Sequence, residues 1–313
     1  MILHDVEIYK DKQHYYISDN PFTKQMLRVV SYDVKGAGYD RSFSNIDRVN
    51  GRFHNSTTEL KKTVEMKLRY NVKKISDASF LKSKLQELLR GHYYLRERAA
   101  SETEIKFENI FEPKNQQPTL EYVDGRQIYV GLVNEISFDT TQITGEIDIE
   151  FETIELPYFE SIGYSTDLEK ETGNINKWGV VDADPFEVSE EHRRCTFYDL
   201  KIGDIYYGGS VPINQFNQDS IVELTLGENI SAKDKSGLTF YITNGSNAIK
   251  ISGLDIKAGD VIRFDGIHTY RNKIRIDDYN QTKTQPVLVP GWNTFHSTKT
   301  LQKITFKHKR YYM

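Results

Sequence analysis

Single-residue alternation of apolar and polar side chains is the feature that most constrains how this chain can fold. The clearest case is residues 63–70, where Val64, Met66, Leu68 and Tyr70 alternate with polar residues. A period of two is typical of a β-strand that buries one face and exposes the other. Because such patterns recur along the chain and helical spacing is rare, we predict an all-β protein.

Short alternating runs separated by turn residues fill the second half of the chain, from Phe197 onward. The predicted strands are 221–226, 238–243, 248–254, 260–265, 273–277, 286–293 and 302–308. The turn dipeptides between them are Asn244-Gly245, Ser252-Gly253, Asp265-Gly266 and Pro290-Gly291. Several short strands punctuated in this way predict a β-sandwich or jelly roll.

One predicted helix interrupts the strands of the first half. Its apolar stripe consists of Ala78, Leu81, Leu85 and Leu88, at spacings of three and four. Asp77 is the predicted N-cap, and Gly91 is the predicted left-handed residue after the last turn. A single amphipathic helix must bury its stripe against another element, so we expect it to pack on a sheet.

Two long strands, 128–138 and 145–156, are predicted after the helix. Asn134 breaks the alternation of the first, and a change of parity near the end of the second predicts a β-bulge. Pro157 follows the second strand and cannot donate to a ladder, so we expect the strand to end before it.

The length of 313 residues favours two domains of about 150 residues each. We place the first at residues 1–158 and the second at 159–313. The stretch 158–195 is polar and weakly patterned, and we interpret it as an acidic linker plus the opening loops of the second domain.

Residues 36–59 form a long, polar, glycine-bearing segment directly before the best strand. Asn50-Gly51 within it is a strong hairpin-turn dipeptide, so we predict an extended hairpin arm; a disordered surface loop is the alternative. Its aromatic, aliphatic and arginine side chains are of the kinds that form interface cores. The predicted subunit contacts are Arg41, Phe43, Ile46, Arg48, Val49 and Phe53.

The sequence carries no recognisable catalytic, metal or cofactor signature. Phosphate-loop, zinc and nucleophile-elbow motifs are missing, so we expect a protein that is not an enzyme and has no cofactor. A net charge of −4 with interspersed signs does not favour nucleic-acid binding. The N-terminal residues resemble neither a signal peptide nor a membrane anchor, and no stretch is apolar enough for a spanning helix.

Two clusters of residues are considered as candidate sites for chemistry. His192 lies three residues before Cys195, the single cysteine, but no third orienting group is evident, so a nucleophilic thiol has little support. An acidic cluster, which we interpret as solvated linker, consists of Asp182, Asp184, Glu187, Glu190 and Glu191.

Five residues of the second domain are candidate contacts for a partner or a glycan. Trp178 and Trp292 each offer a ring for stacking on a sugar, with corner packing as the alternative for Trp292. Lys303, Lys307 and Lys309 share one face of a predicted strand and would suit an acidic partner, although a solvated strand face also explains them. A carbohydrate-binding module for host cell-wall glycans is therefore the second functional hypothesis, and a cell-wall hydrolase is the third.

The order of these elements resembles the distal tail proteins of long-tailed phages that infect Gram-positive, staphylococcus-like hosts. The matching segments are TVEMKLRY (63–70), DASFLKSKLQELLRG (77–91), GRQIYVGLVNEISF (125–138), GEIDIEFETIELPYF (145–159), NGSNAIKISGL (244–254), a Gly-Asp strand (259–265) and PGWN (290–293) before a Lys-rich strand. The likeness spans nearly the whole chain.

The resemblance implies an N-terminal β-sandwich domain that builds a hexameric ring and a C-terminal galectin-like β-sandwich. It further implies a position in the virion, at the baseplate hub of the tail tip, after synthesis in the host cytoplasm. The implied partners are copies of the same chain, the tail tube protein, the tail-tip lysin and receptor-binding proteins used in host adsorption.

Overall fold

The computed structural model describes residues 3–48, 50–100, 119–171, 175–180, 189–243 and 248–313. It divides into two compact units, residues 1–159 and 160–313. Antiparallel strands dominate both units, which confirms the predicted all-β class with one long helix. Several predicted features lie outside the described residues: Val49, Asp182, Asp184, Glu187 and the Asn244-Gly245 turn.

The first unit consists of ten strands and one helix among the described residues. They are β1 (His4–Lys10), β2 (Gln13–Tyr16), β3 (Leu27–Val34), β4 (Tyr39–Ser44), β5 (Phe53–Glu59), β6 (Thr63–Asn71), α1 (Ile75–Leu88), β7 (His92–Ala100), β8 (Leu120–Tyr122), β9 (Arg126–Leu132) and β10 (Thr144–Thr153). In the described part of the chain, β4 and β5 pair only with each other, while seven strands form one sheet in the order β2-β1-β7-β9-β10-β6-β3, with β8 beside β7.

The core of the first unit lies between this sheet and the apolar stripe of α1. The predicted stripe is buried in full: Ala78, Leu81, Leu85 and Leu88 are buried against core residues of the strands. The predicted N-cap is wrong, because the helix begins at Ile75 and the N-cap is Lys74. Asp77 instead accepts a hydrogen bond from the Lys74 backbone N–H at 3.2 Å, so its carboxylate still stabilises the first turn.

Strand β9 ends at Leu132, six residues before the predicted end at 138. The side chain of Asn134 explains this early end. Its Nδ2 donates to the Asp148 carbonyl and its Oδ1 accepts from the Glu150 N–H, so an amide side chain replaces a backbone neighbour of β10. The predicted bulge near 152–154 is also wrong, since β10 pairs with β6 without a register shift and ends at Thr153.

Strand β1 is buried on both faces. Val6 and Ile8 belong to the apolar core, whereas the alternating residue Glu7 is buried beside Arg96, with 2.8 Å between the Glu7 Oε1 and the Arg96 Nη1. Arg96 also donates to Gln127 at 2.8 Å. A buried charge needs such a partner to offset its desolvation, and this polar layer was not predicted.

The second unit contains two short helices, a 3₁₀ turn and further strands. Their bounds are α2 (Ser165–Leu168), α3 (Glu190–Arg193), β12 (Thr196–Tyr207), β13 (Ser220–Leu226), β14 (Leu238–Ile242), β15 (Ile249–Ile251), β16 (Val261–Phe264), β17 (Thr269–Arg271), β18 (Ile274–Arg275), a 3₁₀ turn (Asp277–Tyr279), β19 (Gly291–His308) and β20 (Tyr311–Tyr312). A further strand, β11 (Phe159–Ser161), spans the division between the units.

The 18-residue strand β19 organises the second unit. It pairs with β12 along its length, with β14 near its beginning and with β13 near its end. The sequence predicts two separate strands here, at 286–293 and 302–308. The structure instead has one strand, which contains the last three residues of the first and all of the second. Buried phenylalanines from four strands fill the core beside it: Phe197, Phe240, Phe264, Phe295 and Phe306.

The described parts of 160–195 belong to the second unit and are not a simple linker. Ser165 is buried, and its hydroxyl donates to the Phe306 carbonyl at 2.7 Å and accepts from the His308 N–H at 3.0 Å. Leu168, Ile175, Trp178 and Val180 form a small apolar cluster of their own. The polar composition indicated a linker because few residues of this stretch are apolar. In the structure, those few apolar residues and the side-chain hydrogen bonds together hold the stretch in place.

Candidate subunit interface

The arm predicted at 36–59 is a two-stranded antiparallel ribbon of β4 and β5. It prolongs the core pair of β3 and β6, because the Lys35 N–H donates to the Thr63 carbonyl at 2.9 Å. At the base of the ribbon, the Leu60 N–H donates to the Gly38 carbonyl at 2.8 Å, and the Gly38 N–H donates to Lys61 at 3.2 Å. The backbone of the arm is therefore continuous with the sheet.

The ribbon is exposed on both of its faces. Every residue of β4 is exposed, and so is every residue of β5 except Glu59. Large apolar side chains are among them, with Tyr39 exposed at 51% and Phe53 at 48%. A two-stranded hairpin is marginally stable in water by itself, and both of its outer edges carry unpaired backbone groups. The arm thus has both the surface and the free backbone edges to accept a partner.

One face of the ribbon carries aromatic rings and cations. Tyr39, Arg41 and Phe43 alternate along β4 and therefore point to the same side. The Arg41 guanidinium lies 5.6 Å from the centre of the Tyr39 ring, and that of Arg52 lies 3.8 Å from the Phe43 ring. His54 meets Phe43 edge to face, with 5.6 Å between the ring centres. Aromatic residues and arginine are the types enriched in the central contacts of interfaces.

The predicted arm residues fall into two groups. Arg41, Phe43 and Phe53 lie on the strands, whereas Ile46 and Arg48 lie in the turn that connects them. Three further members of the arm surface, Tyr39, Arg52 and His54, were not predicted. The flank of the Asn-Gly turn and the parity of β4 would have identified them, since both were visible in the sequence.

Trp178 is not an exposed stacking face, so the prediction that it contacts a glycan is wrong. Its side chain is 3% exposed, and its Nε1 donates to the Tyr164 carbonyl at 2.8 Å. The ring packs over Gly163, where a Cβ atom would collide with the indole. The hydroxyl of Tyr312 donates to the Trp178 carbonyl. This tryptophan is a structural anchor.

Trp292 remains accessible at 44% exposure. Its ring contacts His192 and Tyr206, with ring centres at 5.0 Å and 5.4 Å. The structure therefore combines the two alternatives, a packed corner and a partly open face. Its role in binding stays a prediction.

The three predicted lysines do not share one environment. Lys303 is exposed, Lys307 is half-buried, and Lys309 is only 5% exposed. The Lys309 ammonium donates to the carbonyls of Ser161 and Ile162 at 2.9 and 2.5 Å. The prediction for Lys309 is wrong because β19 ends at His308, so strand alternation no longer applies to the next residue.

His192 and Cys195 make separate contacts. His192 packs on Tyr206, whereas the Cys195 thiol donates to the Glu169 carboxylate at 3.2 Å. Burial and the Glu169 carboxylate raise the pKa of the Cys195 thiol far above its usual range, which disfavours a reactive thiolate.

Within the described residues, three or more His, Cys, Asp or Glu side chains nowhere come together as a metal site. In the same part of the chain, each helix is too short or too polar to cross a membrane.

No family model and no curated protein matches the sequence. Among solved structures, the chain resembles the Dit protein of phage SPP1, a paradigm of the hub adsorption apparatus of phages that infect Gram-positive bacteria. The TM-score is 0.57 at 10% identity, and the alignment covers 98% of this chain and 99% of that one. The predicted likeness in fold to phage hub proteins is therefore confirmed over 98% of this chain.

Two structures of the activated phage P2 baseplate, with Ca and with Sr, also align. Their TM-scores are 0.40 and 0.41 at 10% and 12% identity. The alignments cover 99% and 98% of this chain, and 98% of each of those chains. These weaker alignments add no argument of their own.

Proposed function

We propose that this chain is a structural subunit of a phage tail hub, and that its first unit assembles into a ring through the arm. The observation that carries the proposal is the ribbon exposed on both faces, with aromatic rings and arginines on one of them. The fold shared with the SPP1 hub protein supports the same role.

The physical reason for self-association is the cost of leaving the arm in water. Its apolar side chains gain free energy on burial, at roughly 25 cal/mol per Å² of apolar surface. The free edges of β4 and β5 can each receive a neighbouring strand. We propose that the arm docks on a different surface of the first unit of a second copy, which makes the contact head-to-tail. Such contacts close into rings when the rotation between copies allows it.

The finer assignments belong to the same proposal. The ring would be a hexamer within the virion, assembled in the host cytoplasm, that joins the tail tube protein to a tail-tip lysin. The second unit would attach the receptor-binding proteins that act in host adsorption. Trp292 and Lys303 are the exposed members of the predicted partner contacts in that unit and are our choices for it.

The decisive experiment removes the arm and leaves its base intact. Gly38 and Leu60 already face each other across the ribbon, so an Asn-Gly turn in place of residues 39–59 closes the hairpin with a favoured turn type. Light scattering of the full chain should show an oligomer near six subunits, and the shortened chain should be a monomer. Circular dichroism should show that both units remain folded.

Point variants separate the two faces of the arm. Replacing Arg41 and Phe43 by alanine should shift the assembly midpoint to at least tenfold higher protein concentration, because interface centres hold aromatic and arginine anchors. The matched control replaces Ser42 and Ser56 by alanine. These two residues pair with each other across the ribbon, and Ser42 lies between Arg41 and Phe43 on β4. A shortened chain that still forms the ring would refute the role of the arm, and a wild-type monomer would refute the ring itself.

A further inference from the structure

A polar cleft in the second unit is not used by the proposed assembly. Its volume is about 350 Å³, within the range of roughly 300–1,000 Å³ that small-molecule sites occupy. The lining residues come from the loop before β17, from β17 and β18, and from the 3₁₀ turn and the loop that follows it. They are Ile267, His268, Thr269, Arg275, Asp277, Asp278, Asn280, Lys283 and Gln285. Ile267 is the one aliphatic residue with a large side chain in this set.

The inner part of the cleft is fixed by hydrogen bonds. The Asp277 carboxylate accepts from the Thr269 N–H at 2.7 Å, from His268 at 2.8 Å and from Arg275 at 2.5 Å. Partial burial opposes ionisation of Asp277, but these hydrogen bonds outweigh it and hold the pKa of the carboxyl below its usual value. The buried Asn280 amide donates to Thr269 at 3.1 Å. The cleft is therefore preorganised, because its walls are held before any ligand enters.

One acceptor in the cleft has no partner. The side-chain oxygen of Gln285 is buried and has no hydrogen-bond partner within the described part of the chain. The same side chain holds its place weakly, since its Nε2 lies 3.4 Å from the Thr269 hydroxyl. An unsatisfied buried acceptor costs free energy that a donating ligand would recover. The oxygen thus points to a ligand, or an ordered solvent molecule, that donates a hydrogen bond.

The charges around the cleft balance. Two carboxylates, Asp277 and Asp278, face two cations, Arg275 and Lys283. Asp277 is already matched by Arg275, with 2.5 Å between the two groups. A phosphate or another anion would need a surplus of cations, and a metal ion a surplus of carboxylates. Neither surplus is present, so the balance favours an uncharged ligand with many hydrogen-bonding groups.

We propose that this cleft binds a neutral saccharide. Each sugar hydroxyl both donates and accepts, and the cleft places acceptors such as Asp278 and Gln285 beside donors such as Lys283. The site lies apart in the sequence from Trp178 and Trp292, which the sequence analysis had considered for glycans.

Saturation-transfer NMR on the full chain tests the proposal with named probes. Glucose, galactose and N-acetylglucosamine are the neutral sugars, and inorganic phosphate and glycerol 3-phosphate are the anionic ones. We expect saturation transfer to at least one neutral sugar and none to the phosphates. Asp278→Asn and Lys283→Met should each weaken that binding by roughly fivefold or more, since each removes a charged hydrogen-bonding group.

The matched control is Lys273→Met, which removes an exposed lysine two residues from Arg275 that does not line the cleft. It should bind the sugar as the wild type does, and so should Trp292→Ala. Transfer to none of the three sugars overturns the proposal, as does transfer to the phosphates alone. Binding that survives both cleft substitutions, or is lost with Trp292→Ala, also overturns it. Ring formation is measured separately, so either proposal can fail without the other.

Discussion

Two polar, weakly patterned segments of this chain have opposite structures. Residues 36–59 form a ribbon exposed on both faces, whereas the described parts of 160–195 are packed into the second unit. Both contain glycine and many charged residues, and neither shows the alternation of a buried strand. Average polarity therefore does not decide which segment is buried.

The difference lies in specific side chains with hydrogen-bond partners. In the second segment, the Glu169 carboxylate accepts from the backbone N–H groups of Cys195 and Thr196 at 3.0 and 2.8 Å. Trp178 supplies one large buried ring, and Ser165 binds the backbone of β19. In the arm, the aromatic rings contact arginines and a histidine of the arm itself. These few side chains hold the described parts of 160–195 against the second unit. The large side chains of the arm stay exposed and are available to a partner.

The largest expected effect comes from removing the main anchor of the packed segment. Trp178→Ala should lower the free energy of unfolding of the second unit by about 3–5 kcal/mol, the usual cost of emptying a large buried aromatic site. Urea denaturation followed by circular dichroism measures it. Trp292→Ala is the matched control, and its loss should be at most about half as large because that ring is partly exposed. Equal losses of unfolding free energy for the two variants would show that Trp178 does not hold the segment more than the partly exposed Trp292 does.

Acid should destabilise the second unit through His308, whose backbone N–H donates to the Ser165 hydroxyl of the packed segment. Burial lowers the pKa of His308 from 6.5 to about 4. The folded state therefore stays neutral where the unfolded chain takes up a proton. The associated stability is complete above pH 6.5 and is lost as the pH falls toward 4, by about 3 kcal/mol in total.

The measurement for His308 is the free energy of unfolding at several pH values between 7 and 4, for the wild type and for His308→Gln. The variant should show a smaller decrease over this range, because its side chain does not titrate. Identical slopes for the two proteins would show that the imidazole is not protected from protonation.

A smaller loss is expected from Glu169→Gln. The amide keeps the size of the side chain but replaces a charged acceptor of backbone N–H groups, which should cost about 1–3 kcal/mol. Asp167→Asn, two residues earlier and exposed, is the control and should change stability by less than about 0.5 kcal/mol. If both variants unfold at the wild-type urea concentration, the hydrogen bonds of Glu169 do not hold the segment.

The smallest effect on folding is expected in the arm. Phe43→Ser should change the unfolding free energy by less than about 0.5 kcal/mol when measured on the monomer, because the ring is exposed. The same variant should weaken self-association, as seen in the concentration dependence of light scattering. A large loss of monomer stability would mean that the Phe43 side chain packs on its own unit, contrary to the structure.

Local pattern predicted the elements in which one face is wet and one is dry. Strand β6 and the stripe of α1 are cases of this kind, and the hairpin arm followed from its turn dipeptide. The role of the Asn134 side chain could not be predicted, because the backbone groups that it binds, those of Asp148 and Glu150, lie 14 and 16 residues later in the chain. Lys309 failed for a similar reason, since its burial depends on carbonyls near residue 161.

The candidate sites were predictable to different degrees. Arg41, Phe43 and Phe53 were identified from residue type within a hairpin, which needs only local sequence. The cleft for which we propose a saccharide joins β17, β18 and a turn, and among the described residues its Gln285 oxygen has no hydrogen-bond partner. Such an oxygen results from packing, and no spacing in the sequence signals it.

The long strand β19 has a consequence for the order of events during synthesis. Thr196 at the start of β12 pairs with Thr305, so the central strand of the second unit emerges from the ribosome after most of its neighbours. The seven strands in the order β2-β1-β7-β9-β10-β6-β3 of the first unit have all emerged once β10 has been made. Nascent chains therefore pass through a stage in which the arm has been synthesised while the second unit of the same chain is still incomplete. On a polysome, neighbouring chains at that stage could meet through their arms before either is complete.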